Sequence, residues 1–447
     1  MGTVLIHNAA VLTMNDQDEI HEPGWVWLEG SRIERVGQGS APADLLDRTD
    51  RVIDGAGKAV LPGLINAHTH LSQTFLRGLG DDKTLLEWLK TVVWPVEAAM
   101  TPEDVQLASL LGLAENIRCG VTAVGQHHKI VSSPAHVEAT AEAAQRLGVR
   151  LQLARGWVDI GQAAEPPDQI VQQMKALYER WHGQAGGRVT VAFGPMVPWR
   201  CSDETMRRAA VLAREWGINT HIHMAEVADE VHMMYERSGM GPVAWLDALG
   251  ALGPRTQLVH SVHLDAEDLD LVAERDAVVV HCPTSNMYLG SGIAPVPQML
   301  ARGITVAVAT DGSASHNSQD LLESVKDAAL LARVGRGEAQ ALMPLQALRM
   351  ATTAGARFMG RADLGQLAPG FAADLTVVNL NTLRAMPVHR VENALVFNCS
   401  GPDVDMVIVD GEILLDQGRL TMVDEEELLE RGRRAARDLL QRAGAAA

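Results

Sequence analysis

Leu61-Pro62-Gly63-Leu64-Ile65-Asn66-Ala67-His68-Thr69-His70 is a short apolar run that closes on two histidines one residue apart. In an extended segment residues i and i+2 point to the same side, so both imidazoles aim at one spot. Two imidazoles do not hold a divalent ion alone, because zinc and similar metals take about four N, O or S ligands. The rest of the chain is therefore read for the missing ligands, for a proton carrier and for a pocket.

Outward from this stretch, residues 59 to 364 alternate short β-branched runs with helical stretches. Strands are expected to end near His68, Gly125, Arg155, Phe193, His223, His260, His281 and Asp311. Helices are expected over 101–118, 135–147, 167–182, 202–216, 240–250, 265–275 and 317–334. Strand-then-helix units in this number are the pattern of a (β/α)8, or TIM-type, barrel, which builds its active site at the C-terminal ends of its strands. Those ends offer His68 and His70, then Gln126, His127 and His128, then Arg155, Met196, His223 and Glu226, His260 and His263, His281, and Asp311. The clustering of histidines and carboxylates, rather than any single residue, carries the case for a metal site.

Both flanks read as short strands with turns: Thr3 to Ile6, Ala10 to Thr13, Gly24 to Leu28, Ile33 to Val36 and Val52 to Ile53 before the barrel. After it come Ala373 to Val378, Leu395 to Phe397, Met406 to Val409 and Glu412 to Leu415, with Asp410-Gly411 as a hairpin signal. The expected fold class is α/β: a barrel over 59–364 and a small β-sandwich domain built from both chain ends, 1–58 with 365–423. Pro344 to Met359 is expected to form one further helix. Residues 424–447 hold an amphipathic C-terminal helix in which Leu428, Leu429, Leu439 and Leu440 form the buried stripe.

Composition narrows the function. The chain has 447 residues, with 47% hydrophobic and 21% charged residues, as in a soluble globular protein. A formal charge of -18 repels nucleic-acid phosphate and anionic membrane surfaces and favours a neutral or cationic small-molecule substrate. Four scattered cysteines without a CxxC pair read as reduced thiols. With no membrane-spanning apolar run and no basic-then-apolar leader, a cytoplasmic protein is expected.

These residues resemble the amidohydrolase superfamily, in its subgroup of deaminases and aminohydrolases of nitrogen heterocycles and of s-triazine hydrolases. The likeness runs over Leu61 to His70, Leu76-Arg77-Gly78, Glu87-Trp88-Leu89, Gly120-Val121-Thr122, HIHMAE at His221 to Glu226, HCPTSN at His281 to Asn286, Gly292 to Pro295, TDGSASHN at Thr310 to Asn317 and LAPGFAAD at Leu367 to Asp374. It implies that His68, His70, His223 and Asp311 bind one divalent metal per chain, zinc or ferrous iron. Binuclear members carry a bridging lysine near the end of the fourth strand, and Val189 to Pro195 contains none.

The resemblance also makes Glu226 the carrier of a proton from water to a ring nitrogen. It makes His260 the group that orients the water, and Asp311 the group that passes the second proton to the departing amine. His221 is expected to be a hydrogen-bonded core histidine, while His127, His263, His281 and His316 stay open between support and substrate contact. For the substrate, Glu87 and Arg155 match nucleoside-binding positions, and Gln73 matches triazine-type relatives. Gln126-His127-His128 is similar to a run in 8-oxoguanine deaminases, and Met196 stands where adenosine-type relatives have histidine. Trp88, Trp94, Trp157 and Trp199 are candidates to stack on a flat ring.

The implied function is deamination of an amine-bearing purine, pterin or related nucleoside. The alternative is an s-triazine or guanidine-type hydrolase releasing chloride, alkylamine or ammonia. A homodimer or larger homo-oligomer is expected by the same resemblance. A cytidine-deaminase type of zinc site is excluded because no C-x-x-C occurs, and no G-x-S-x-G elbow or phosphate-binding glycine loop is present.

Overall fold

The computed structural model describes residues 2–80, 82–130 and 132–444. Eight parallel strands follow one another around a barrel: Leu64–Thr69, Val121–His128, Arg150–Trp157, Val189–Pro195, Thr220–Met224, Thr256–His260, Val278–His281 and Thr305–Val308. Almost every residue in them is buried, because helices cover the outer face and side chains fill the interior. The seam between the eighth and first strands is closed by the amide of Asp311 donating to His68 O (3.0 Å) and that of Thr310 donating to Asn66 Oδ1 (3.1 Å). Barrel closure and the Asp311 turn are thus one feature.

The covering helices start at local signals. Thr101 and Asp104 form a capping box ahead of Pro102–Arg118, and Asp265 and Asp268 form one ahead of Ala266–Glu274. Asp320 accepts from Leu322 N and Glu323 N at the start of Leu321–Arg336.

The second unit is a nine-stranded sheet, ordered Arg419–Leu420, Glu412–Asp416, Val404–Val409, Leu375–Asn379, Lys58–Pro62, Thr3–Leu12, Ile20–Glu29 and Arg32–Gln38, with Arg51–Asp54 beside Thr3–Leu12. Lys58–Pro62 pairs antiparallel with Leu375–Asn379, which is where the two chain ends meet. The ladder curls over itself: Ile33 N donates to Phe371 O, and Ile6, Val26, Ile33, Val60, Leu375, Val377 and Ile408 share one core. Gly63 divides this sheet from the barrel, and a Cβ there would lie 2.2 Å from Thr122 Oγ1. Buried Arg150, opening the third barrel strand, fastens the two units by binding both Asp374 oxygens (2.7 and 2.8 Å) and Asp410 (3.1 Å).

Several elements differ from expectation. Leu395–Phe397 is not a strand but the last turn of the helix Val391–Phe397, where Val391 and Leu395 bury one helical face. Pro344–Met359 is two helices, Pro344–Ala351 and Thr353–Phe358, broken at Thr352 (φ -125°, ψ -88°). A helix at Ala228–Ser238 carries too few buried apolar residues to announce itself. In the C-terminal helix Glu425–Ala443, Leu428 and Leu439 are buried but Leu429 is 48% exposed. The four cysteines are free and buried, and among the described residues no helix is long and apolar enough to cross a membrane.

Candidate active site

The C-terminal ends of the barrel strands bring His68, His70, His223 and Asp311 to one point. His68 Nε2 lies 3.2 Å and His70 Nε2 3.5 Å from Asp311 Oδ1, and His223 Nε2 lies 3.3 Å from His70 Nε2. Metal–ligand bonds of about 2.0–2.1 Å at tetrahedral angles separate ligand atoms by about 3.3–3.4 Å. The three separations are of that order, and the four residues belong to two overlapping groups that could hold an ion, His68 with His70 and His223, and His68 with His260 and Asp311. His68 Nε2 is buried without a hydrogen-bond partner, which fits a nitrogen that could bind a metal.

The other ring nitrogens are engaged so that Nε2 remains free. His70 Nδ1 donates to His127 O (2.7 Å) and His223 Nδ1 to Met196 O (2.7 Å). A carbonyl only accepts, so both rings carry their proton on Nδ1. Burial lowers the pKa of all three rings and so favours their neutral form. Burial pushes the Asp311 carboxyl up, but His68, His260 and Lys129 beside it outweigh burial and hold it well below the usual range. Its second oxygen accepts from Ser285 Oγ (2.7 Å) and Ser315 Oγ (3.1 Å).

Beside this cluster Glu226 Oε2 lies 3.4 Å from His260 Nε2, while His260 Nδ1 is 2.9 Å from Asn286 Oδ1. Burial raises Glu226 to about 7, against the His260 charge that lowers it, and Glu230 and Asp311 add to the rise. Glu230 accepts from Glu226 N (2.8 Å) and from Trp199 Nε1 (3.2 Å), tying the carboxyl to the cavity wall. Ala225, His260, Ser261 and Asp311 all have positive φ, a conformation costly for residues other than glycine and retained where a site must be held in shape.

A cavity opens on these groups, walled by Leu85, Leu86, Trp88, Leu89, Trp94, Lys129, Met196, Val197, Trp199, Arg200, Glu230 and Leu289. Of the substrate candidates, Trp88 and Met196 are on this wall. Glu87 points to solvent on the short helix Leu85–Trp88, and Arg155 is buried behind the third strand, paired with Glu165 and Gln173. His128 is bonded to Ile130 O and Thr140 Oγ1. Gln73 is buried against the Asp311–Gly312 turn with neither amide atom bonded.

Trp94 and Trp199 also face the cavity, whereas Trp157 is core. Sequence reasoning missed Lys129, whose ammonium makes no ion pair among the described residues, and Glu230; position one residue past a strand end and one turn past Glu226 were their only signals. His263 and His316 bond to Ser291 O and Ser324 Oγ. A roomier cavity of about 480 Å³ lies away from the histidines, where Arg77 and Glu115 pair with each other and Asp320 binds Gly401 N.

Residues 59–414 match the model of the amidohydrolase family. The chain belongs to that family. It is 36% identical over 443 residues, covering 99% of this chain and 100% of the relative, to a 5-methylthioadenosine/S-adenosylhomocysteine deaminase of Pelotomaculum thermopropionicum. It is 38% identical over 416 residues, covering 93% and 95%, to a 5'-deoxyadenosine deaminase of Methanothermobacter thermautotrophicus. Among solved structures, a zinc-bound adenosine deaminase from Xanthomonas campestris superposes with a TM-score of 0.92 at 31% identity over 98% of both chains. A zinc complex of atrazine chlorohydrolase from Arthrobacter aurescens gives 0.90 at 29%, over 97% of this chain and all of that one. With these relatives and its histidine-rich cluster, this member of the family is a divalent-metal enzyme.

Proposed function

We propose that this amidohydrolase deaminates an amine-bearing nitrogen heterocycle of the adenine-nucleoside kind, turning a ring C–NH2 into C=O and releasing ammonia. The observation that carries the reading is the buried Glu226–His260 pair set beside the cluster of His68, His70, His223 and Asp311, in a chain related along its whole length to adenosine-type deaminases. His68, His70, His223 and Asp311 would hold one zinc ion, with ferrous iron as the alternative. A bound ion of this kind acts as a Lewis acid that lowers the pKa of water toward about 7.

The protein groups complete the chemistry. Glu226, raised to about 7, exists in both protonation states near neutral pH, so it takes a proton from the attacking water and delivers it to the ring nitrogen. With Nδ1 committed to Asn286 Oδ1, His260 presents Nε2 to the same water and aligns it. Asp311, held ionised by its surroundings, takes the second proton and passes it to the amine, which leaves as ammonia. Trp88, Trp94 and Trp199 offer flat apolar faces to the heterocycle, and the buried Trp88 Nε1 offers a free donor.

Adenine nucleosides altered at the 5' position are the first substrates to assay, followed by guanine, pterins, melamine and atrazine. Ammonia release from the purine set, lost on chelation and restored by zinc, is expected. Chloride or alkylamine release from triazines, with no ammonia from any purine or pterin, would overturn the reading.

A further inference from the structure

Two of the three clustered imidazoles have their proton placed by a backbone carbonyl, but His68 does not: its Nδ1 faces another imidazole, His221 Nε2, at 2.7 Å. An imidazole nitrogen can donate or accept, so this contact alone leaves the His68 tautomer undetermined. With the proton on Nε2, His68 could not bind a metal.

The ambiguity is resolved deeper in the barrel. Phe358 O, at the C-terminal end of the helix Thr353–Phe358, accepts from Gln257 Nε2 (2.7 Å) and Asn219 Nδ2 (3.1 Å). A flipped Gln257 would set two carbonyl oxygens against each other, so its Nε2 must face Phe358 O. Gln257 Oε1 then accepts from Gln152 Nε2 (2.8 Å) and faces His221 Nδ1 at 2.9 Å. His221 Nδ1 therefore carries a proton. His221 is fully buried and has no carboxylate partner among the described residues, so it stays neutral and its Nε2 accepts. His68 Nδ1 must donate, which leaves Nε2, 3.2 Å from Asp311 Oδ1, as the ring atom for the metal.

We propose that Gln257 and His221 are positioning residues that relay the polarity of the Phe358 carbonyl to His68 and fix it in the metal-binding tautomer. The relay rests on the metal reading above but joins parts that the reading does not use: Gln257 of the sixth strand, the inner histidine of the fifth and a helix after the barrel. It also gives the first histidine of HIHMAE a task distinct from that of the second.

Two measurements test it. In zinc-free protein labelled with 15N-histidine, ring-nitrogen spectra should show His68 protonated on Nδ1; a proton on Nε2 overturns the relay. Zinc affinity, by competition with a chromophoric chelator, should fall about 10–100-fold in His221→Leu and Gln257→Leu, the usual scale for losing an outer hydrogen bond to a ligand. His221→Gln, whose amide can accept from His68 and donate to Gln257, should recover most of the loss, and Gln152→Leu, which loosens the floor but leaves the relay, should stay within about threefold. Equal loss in Gln152→Leu, or unchanged affinity in His221→Leu, overturns the proposal. Parent protein that binds no zinc would sink the metal reading, while the tautomer still decides the relay. Where leucine variants do not fold, as judged by zinc-free melting, the parent spectrum decides.

Discussion

A carboxyl that both takes and gives a proton works best with a pKa near the operating pH, and Glu226 owes that to burial and to Glu230. Glu226→Gln keeps the shape but carries no proton to the ring, so kcat should drop at least about 100-fold with zinc content unchanged. A drop below about tenfold would mean that another group shuttles the proton. The same burial has a stability consequence. Glu226 titrates near about 7 when folded and near about 4.3 when unfolded, so between those values the native state holds more protons and stability falls as pH rises. In chelated protein, Glu226→Gln should therefore be more stable than the parent at pH ~8 and no more stable at pH ~4, as read by urea unfolding. A gain of the same size at both pH values would show that the carboxyl is not shifted.

Among the elements, the barrel strands are legible because strands buried on both faces become β-branched runs that stop at polar residues. His68 and His223 end such runs, which is why the order of strand ends along the chain is enough to bring together His68 and His70, His223 and Asp311 from three distant stretches. The cavity wall is far less legible. Lys129 and Glu230 sit where the chain leaves a strand or enters a helix, Glu87 and Trp88 are neighbours that face opposite ways, and Arg155 spends its charge on Glu165. No periodicity encodes those choices. Leu395–Phe397 misleads because a three-residue apolar window suits a strand as well as a helix turn.

The turn after the eighth strand shows how tightly such a connection is specified. A Cβ on Gly312 would lie 2.0 Å from Gln73 Oε1 and 3.1 Å from His70 Cβ. Gly312→Ala should thus displace the Asp311 turn or Gln73, costing about 1–3 kcal/mol of stability and lowering zinc content measured by mass spectrometry. Full occupancy with parental melting would show that the turn yields freely.

At the scale of the whole molecule, the nine-stranded sheet contributes no residue to the metal cluster, yet the chain enters and leaves the barrel through it. The two are held together at the start of the third barrel strand, opposite the active-site end, by Arg150 between Asp374 and Asp410. A buried ion pair of this kind is not a large net gain, because desolvating both charges offsets most of their attraction. Removing one partner is different, since it strands a carboxylate that has lost water and counter-charge alike. Arg150→Leu should destabilise the protein by about 3–5 kcal/mol in denaturant unfolding. The metal site lies at the far ends of the strands, so zinc stoichiometry and turnover below the transition should stay near parental values. A loss under about 1 kcal/mol would mean that the apolar contacts between sheet and barrel, rather than this cation, join the units. Loss of zinc without loss of stability would mean that strain from the sheet reaches the cluster through the barrel strands.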